Sequence, residues 1–158
     1  MRATQYLRYD SQLDPRVGVV SNLGRAGVDL WVPRWRGTAA LNWRLDAWSA
    51  GLTGRYVGHY RDYNALLDGS YLELGDFWVF DTNARWNFGR HFGPGPGRYS
   101  GTYVSAGVVD LFDREPEFSA TISPGYGWDG AQNDIRGRYF YMEDRKSTRL
   151  NSSHPYRS

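Results

Sequence analysis

The chain has no cysteine, so neither a disulfide framework nor a thiolate metal site is open to it. It holds one lysine, Lys146, and no clustered excess of basic residues. Of its 19 Lys and Arg, four lie from residue 144 onward, which leaves 15 Arg against 16 Asp and Glu in residues 1 to 143. The formal charge of +2 therefore belongs to the tail, and no nucleic-acid surface is expected. No apolar run approaches the ~18 residues of a membrane helix. The residues after Met1, Arg-Ala-Thr-Gln-Tyr, lack the apolar stretch of a secretory signal. Any contact with a membrane must then be made by alternating strands. Catalytic signatures are missing as well: there is no G-x-S-x-G, no H-E-x-x-H and no phosphate-cradling loop. No enzymatic activity and no cofactor are expected.

What the chain does have is aromatic residues and glycine: 7 Trp, 12 Tyr, 7 Phe and 19 Gly. Aromatics favour pleated sheets and Gly supplies turns, so an all-β antiparallel meander of about six strands is predicted. Residues 3 to 9 are a short strand candidate, and residues 10 to 36 a long irregular stretch. From Gly37 the alternation is clear: Ala39, Leu41, Trp43 and Leu45 share a face opposite Thr38, Ala40, Asn42 and Arg44. A tight turn at Asp46 leads into a strand over 47 to 60, with Trp48, Ala50, Leu52, Gly54 and Tyr56 on one face. Residues 61 to 76 read as a second polar connection. A strand over 77 to 89 alternates Trp78, Phe80, Thr82, Ala84 and Trp86 with Val79, Asp81, Asn83 and Arg85. The G-P-G-P-G run after His91 is a stiff turn, and residues 101 to 111 form the next strand, with a bulge or rim bend near Val108-Val109. Residues 115 to 135 are a third long loop, and Arg136 to Met142 begin a last strand.

The two faces differ in kind. Large aromatics sit at the ends of strands with small apolar residues between them. Trp48 and Tyr56 are eight residues apart, as are Trp78 and Trp86. At ~3.3 Å per residue and ~45° tilt this spans about 19 Å, close to the ~25 Å apolar band of outer-membrane barrels with their aromatic girdles. The opposite face carries Asn42, Arg44, Arg55, Asp81, Asn83, Arg85 and Asn87, ionisable groups that a dry core would not accept without pairing and a watery lumen would. Long and short connections alternate, which sets the Asp46 and G-P-G-P-G turns at the periplasmic end.

One stretch carries a family pattern. Leu111-Phe112-Asp113 with Pro116, then Tyr126-Gly127-Trp128-Asp129, then Asp134-Ile135-Arg136-Gly137-Arg138-Tyr139-Phe140-Tyr141 resembles the C-terminal end of TonB-dependent outer-membrane receptors. Asp110 stands where that pattern usually has Asn, and Ile135 where it usually has Pro. The resemblance implies that residues 1 to 143 are the C-terminal portion of a 22-strand transmembrane β-barrel. It also implies a location in the outer membrane of a Gram-negative bacterium, in contact with its lipid and monomeric when complete. The implied role is energised uptake of a scarce nutrient, a ferric siderophore, cobalamin or oligosaccharide, driven by the TonB system through a plug domain that is not among these residues. Residues 144 to 158 are expected to be a non-native or disordered tail, because Asp144 to His154 is polar, aperiodic and resembles a translated sequencing adapter.

Candidate ligand contacts are Arg55 and Arg85, which with Arg44 face the lumen and suit anions, and the loop aromatics Trp31, Trp35, Tyr126 and Trp128, which suit stacking. The family-motif residues are Leu111, Phe112, Asp113, Pro116, Arg136, Gly137 and Arg138. Neither of two metal arrangements is expected: His59 with His91, and a calcium site from Asp110, Asp113, Glu115 and Glu117, for which a solvated rim is the plainer reading. The competing function is a soluble β-sandwich that binds carbohydrate on its aromatics. An outer-membrane hydrolase ranks last, since its only Ser-His candidates, Ser49 and His59, lie at opposite ends of one strand.

Overall fold

Period-two alternation demands a sheet with two unlike faces, and the computed structural model of the chain contains one. The structure describes residues 1–12, 14–26, 31–88, 101–119, 127–130 and 132–145. Its strands are β1 (Arg2–Gln5), β2 (Asp10–Ser11), β3 (Val20–Ser21), β4 (Trp35–Leu45), β5 (Trp48–Val57), β6 (Tyr60–Ala65), β7 (Tyr71–Leu74), β8 (Phe77–Asn87), β9 (Tyr103–Val109) and β10 (Tyr139–Arg145). Six of them form one antiparallel sheet in the order β1-β4-β5-β8-β9-β10, with β1 and β10 as open edges. The G-P-G-P-G run and Tyr126 lie outside the described residues.

Several boundaries differ from the sequence reading, each for a local reason. The stretches read as irregular, 10 to 36 and 61 to 76, each contain a two-stranded sheet, β2-β3 and β6-β7. Both are too short to show alternation. Trp35 and Arg36 belong to β4, paired with Gln5 and Thr4, and are not loop residues. The first strand stops at Gln5, although 3 to 9 was expected, and the last begins at Tyr139 because Gly137 turns the chain with φ 66°. The latter strand runs two residues past Glu143, pairing Asp144 with Val104 and Arg145 with Tyr103. Ladder bonds are made by the backbone, so a strand can continue through any sequence that is not proline. The strand β5 ends at Val57 and not at Tyr60. There Gly58 donates its N–H to the Trp35 carbonyl at 2.9 Å, and a Cβ at Gly58 would lie 3.1 Å from that of Trp35. No bulge occurs at Val108-Val109, since the β9-β10 register runs through both without a shift. The bend falls one residue later, at Asp110, whose φ is 52°. The turn at Asp46 is as read: Leu45 pairs with Trp48, and Asp46 takes a φ of 48°, which Asp tolerates better than most residues.

Register aligns the like residues of neighbouring strands. Leu41, Leu52, Thr82, Val108 and Phe140 make one continuous row across β4, β5, β8, β9 and β10. Trp43, Ala50, Ala84, Ala106 and Met142 make the row two residues below it. The other face has Arg44, Ser49, Arg85, Ser105 and Glu143 in one row, and Asn42, Gly51, Asn83, Gly107 and Tyr141 in the next. The buried apolar cluster lies at the rim opposite the Asp46 turn. It joins Val57 and Phe77 from the six-stranded sheet to Tyr60 and Leu74 of the small β6-β7 sheet and to Ala26, with Trp31, Leu72 and Val79 packed against it.

Candidate functional site

The rim where β5, β8, β9 and β10 end gathers the two halves of the family motif. Asp110 and Asp113 both adopt left-handed backbone, with φ of 52° and 56°, and so fold Leu111-Phe112 back over the sheet end. Leu111 donates its N–H to the Phe80 carbonyl at 2.7 Å, and Phe112 sets its edge on the Phe80 ring at 5.6 Å. Asp113 then accepts the Arg138 N–H at 2.7 Å, while the Arg138 guanidinium reaches the Leu111 carbonyl at 3.4 Å. A side chain at Gly137 would put its Cβ 2.9 Å from the Asp113 carboxylate, so only glycine fits both the space and the positive φ. Leu111, Phe112, Asp113, Gly137 and Arg138, far apart in sequence, thus form one latch. Arg136 instead grips Asp134 with Nε and Nη2, at 2.9 and 2.6 Å, and this holds the Asp134 carboxyl below the usual aspartate range. Pro116 is half-buried at the start of the last loop.

The loops are fastened at the rim by three polar bonds, the first two of them buried. Tyr60 donates to Asp129 at 3.0 Å, Ser119 to Asp62 at 2.8 Å, and the Gly75 N–H to Glu117 at 2.8 Å. Burial first, and the Asp129 carboxylate second, hold the Tyr60 hydroxyl far above the ordinary tyrosine value. Trp31 leans on Tyr60 at 4.4 Å between ring centres, so it belongs to this packing. Of the four acids of the calcium arrangement, three have separate tasks: Asp110 accepts the Arg114 N–H, Asp113 serves the latch and Glu117 binds Gly75. Among the described residues no three His, Cys, Asp or Glu side chains gather as a metal site needs.

Below the fastened loops, on the polar face, lies a cleft of about 440 Å³. Arg2, Arg36 and Arg55 line one side and Asp110, Gln132, Asn133 and Asp134 the other. Strand pairing brings the arginines together. Arg2 pairs with Thr38, which pairs with Arg55, and Arg36 stands two residues along β4 on the same face. Arg55 donates to Asp81 at 3.0 Å, and the same Asp81 oxygen accepts the Asp110 N–H at 3.1 Å. One carboxylate therefore fixes both the arginine and the bend. Among the described residues Arg2 and Arg36 make no ion pair.

Of the proposed ligand contacts among the described residues, only Arg55 lines this cleft. Arg85 faces the same way but pairs with Ser49, six residues from Arg55 and about 20 Å along the strand. It stacks on Tyr103 at 4.1 Å and, with Arg44, lines a smaller recess of about 210 Å³ at the Asp46 turn. Trp35 has the parity of the apolar face, and Trp128 is half-buried in the last loop. Sequence reading missed Arg2, Arg36, Gln132 and Asn133. Of these Arg36 was detectable, since extending the β4 alternation back by two residues puts it on the face of Thr38 and Ala40, whereas Arg2 lay outside the strand read over 3 to 9. The glutamine and asparagine had no periodic signal.

The apolar face is bare. Leu41 is 70% exposed, Phe140 74% and Met142 79%. Two aromatic bands bound it. Toward the Asp46 turn, Trp48 stacks on Trp86 at 5.6 Å and Trp86 meets Phe88 at 4.1 Å. Toward the rim, Tyr56 meets Trp78 at 4.5 Å and Trp78 stacks on Phe80 at 5.9 Å. The hydroxyl of Thr82, lying between the bands, donates to the Gly51 carbonyl at 3.1 Å. Compared with known proteins, the chain matches no family model, no curated protein and no solved structure.

Proposed function

We propose that the chain is a length of the wall of an outer-membrane β-barrel of the TonB-dependent receptor kind, contributing to energised uptake of a nutrient such as a ferric siderophore, cobalamin or an oligosaccharide. The observation that carries this reading is the bare apolar face bounded by two aromatic bands. A soluble monomer rarely leaves so continuous a face in water, whereas lipid tails would cover it and the bands would sit at the two interfaces. The bands are eight residues apart in β5 and β8, or about 19 Å across a membrane at ~45° tilt. The bond from Thr82 to the backbone suits the same setting, because a hydroxyl facing hydrocarbon needs an internal partner.

The opposite face fits a watery lumen, with the cleft and the fastened loops at its outer end. Six strands at ~4.8 Å make a curved sheet only ~29 Å wide, so the proposed barrel requires further strands beyond the two open edges. The motif latch supports the receptor type, since it gives the resembling residues a shared structural task. A soluble carbohydrate-binding sandwich would lay a second sheet over Leu41 and Leu52. Both remain exposed, and the small β2-β3 and β6-β7 sheets leave them so.

The test is to fold the full chain in the presence of phosphatidylcholine vesicles and to follow far-UV circular dichroism, flotation with the vesicles and bilayer conductance. Vesicle-bound β-structure without conductance is expected, since neither the full wall nor a plug is supplied. A soluble monomer that unfolds cooperatively in plain buffer would refute the proposal.

A further inference from the structure

We propose that the chain pairs edge to edge with a second copy of itself, β10 of one protomer lying antiparallel along β1 of the next. Both edges present open backbone. Tyr6 donates its N–H to the Arg34 carbonyl at 3.0 Å, so alternation commits the backbone groups of Arg2 and Thr4 to β4 and turns those of Ala3 and Gln5 outward. On the far side Phe88 donates its N–H to the Thr102 carbonyl at 3.0 Å. The same alternation commits Val104, Ala106 and Val108 to β8, so their partners Phe140 and Met142 turn their backbone groups away from β9. None of the devices that guard an edge is found on β10. Its seven residues are all exposed, and its ladder with β9 runs without bulge or proline.

Side chains select the register. Ala3 and Gln5, paired with Gly37 and Trp35, have the parity of the apolar face, so a continuous face requires them opposite Phe140, Met142 or Asp144. Only two antiparallel registers then pair all four residues of β1 within β10. One sets Gln5 opposite Phe140, Thr4 opposite Tyr141, Ala3 opposite Met142 and Arg2 opposite Glu143. The other slides two residues along and sets Arg2 opposite Arg145. Opposite charges stabilise a cross-strand pair and like charges oppose it, which selects the first. The polar face leaves space for it. Tyr141 lies over Gly107, away from the free edge, and Glu143 takes the Tyr103 hydroxyl on Oε1 at 2.6 Å, which leaves Oε2 for Arg2. Phe140 stands in the row of Leu41 and Gln5 in that of Trp35, so this join staggers the copies by six residues over six strands, near the one residue per strand of a tilted barrel wall. The argument from stagger rests on the barrel-wall reading; the backbone and charge contacts do not depend on lipid.

The chain has no cysteine, so single introduced thiols report on the join alone. The full chain carrying Ala3→Cys and the full chain carrying Met142→Cys are folded in detergent micelles, oxidised separately and as a mixture, and resolved by non-reducing electrophoresis. A disulfide-linked dimer is expected in the mixture at several times its yield from either variant alone, and more than from Ala3→Cys mixed with Asp144→Cys. Sedimentation equilibrium in micelles tests the charge pair: Arg2→Glu should weaken dimerisation by about fivefold, and Arg2→Glu combined with Glu143→Arg should restore it. Circular dichroism of each variant checks that the sheet is intact. A mixture that links no better than its components, a Met142→Cys dimer as abundant alone, or a double charge reversal that fails to restore the parent's affinity would each overturn the proposal. Vesicle flotation of the same preparations reports on the membrane reading separately, since a chain that dimerises without floating keeps the join and loses that reading.

Discussion

Replacing Leu52 by arginine separates a lipid-facing sheet from a water-facing one. Leu52 lies midway between the bands, four residues from Trp48 and four from Tyr56, and it pairs with Leu41 and Thr82. In a barrel wall an arginine at mid-membrane costs about 2–4 kcal/mol, falling to about 0–1 near the interfaces. On a surface already in water the same change is usually within about 0.5 kcal/mol. The larger cost corresponds to a partition coefficient into vesicles lowered by roughly 30- to 800-fold. It can be measured by titrating the chain with dilauroylphosphatidylcholine vesicles and following the blue shift of its tryptophans. Two controls bracket the number. Leu45→Arg, paired with Trp48 in the lower band, should cost far less because it reaches the interface. Ala40→Arg, exposed on the polar face in the row of Asp81, should cost nothing measurable. A Leu52→Arg variant that partitions within about threefold of the parent chain would refute the reasoning. So would a Leu45→Arg variant that loses as much as Leu52→Arg, since depth dependence is what lipid imposes.

Two further outcomes follow from the rim. Gly137→Ala forces a side chain into left-handed backbone and against the Asp113 carboxylate, at a cost of about 1–2 kcal/mol from the backbone alone; denaturant unfolding of the micelle-bound chain should show it, and an unchanged midpoint would contradict the latch. Acid should loosen the loops. The Asp134 carboxyl is held low chiefly by the Arg136 side chain and that of Asp76 chiefly by the His59 N–H, so each contributes stability that is complete above the ordinary aspartate value and is lost as pH falls through the lowered one. Unfolding midpoints are therefore expected to be flat above about pH 5 and to fall below about pH 4, with Asp134→Asn removing part of the fall.

Alternation along β4, β5, β8 and β9 determined the all-β class, the strand parity and the separation of aromatic bands, because side-chain direction in a strand depends only on whether a residue is odd or even. The Asp46 turn was legible for the same local reason. The small β2-β3 and β6-β7 sheets were not, since two- to six-residue strands in polar loops leave no periodic trace. A rim bend near Val108-Val109 was legible, but its place at Asp110 was not, since that depends on the Asp81 carboxylate reaching the Asp110 N–H from a neighbouring strand. The motif halves were readable as a resemblance, but their meeting through Asp113, Gly137 and Arg138 needed the chain to fold. The cleft belongs wholly to the tertiary structure. Arg2, Arg36 and Arg55 are distant in sequence and adjacent only through register, and Gln132 and Asn133 come to face them only because Tyr60 and Asp129 fasten the last loop. Local periodicity specifies which face a residue is on; register and loop closure specify which residues it meets there.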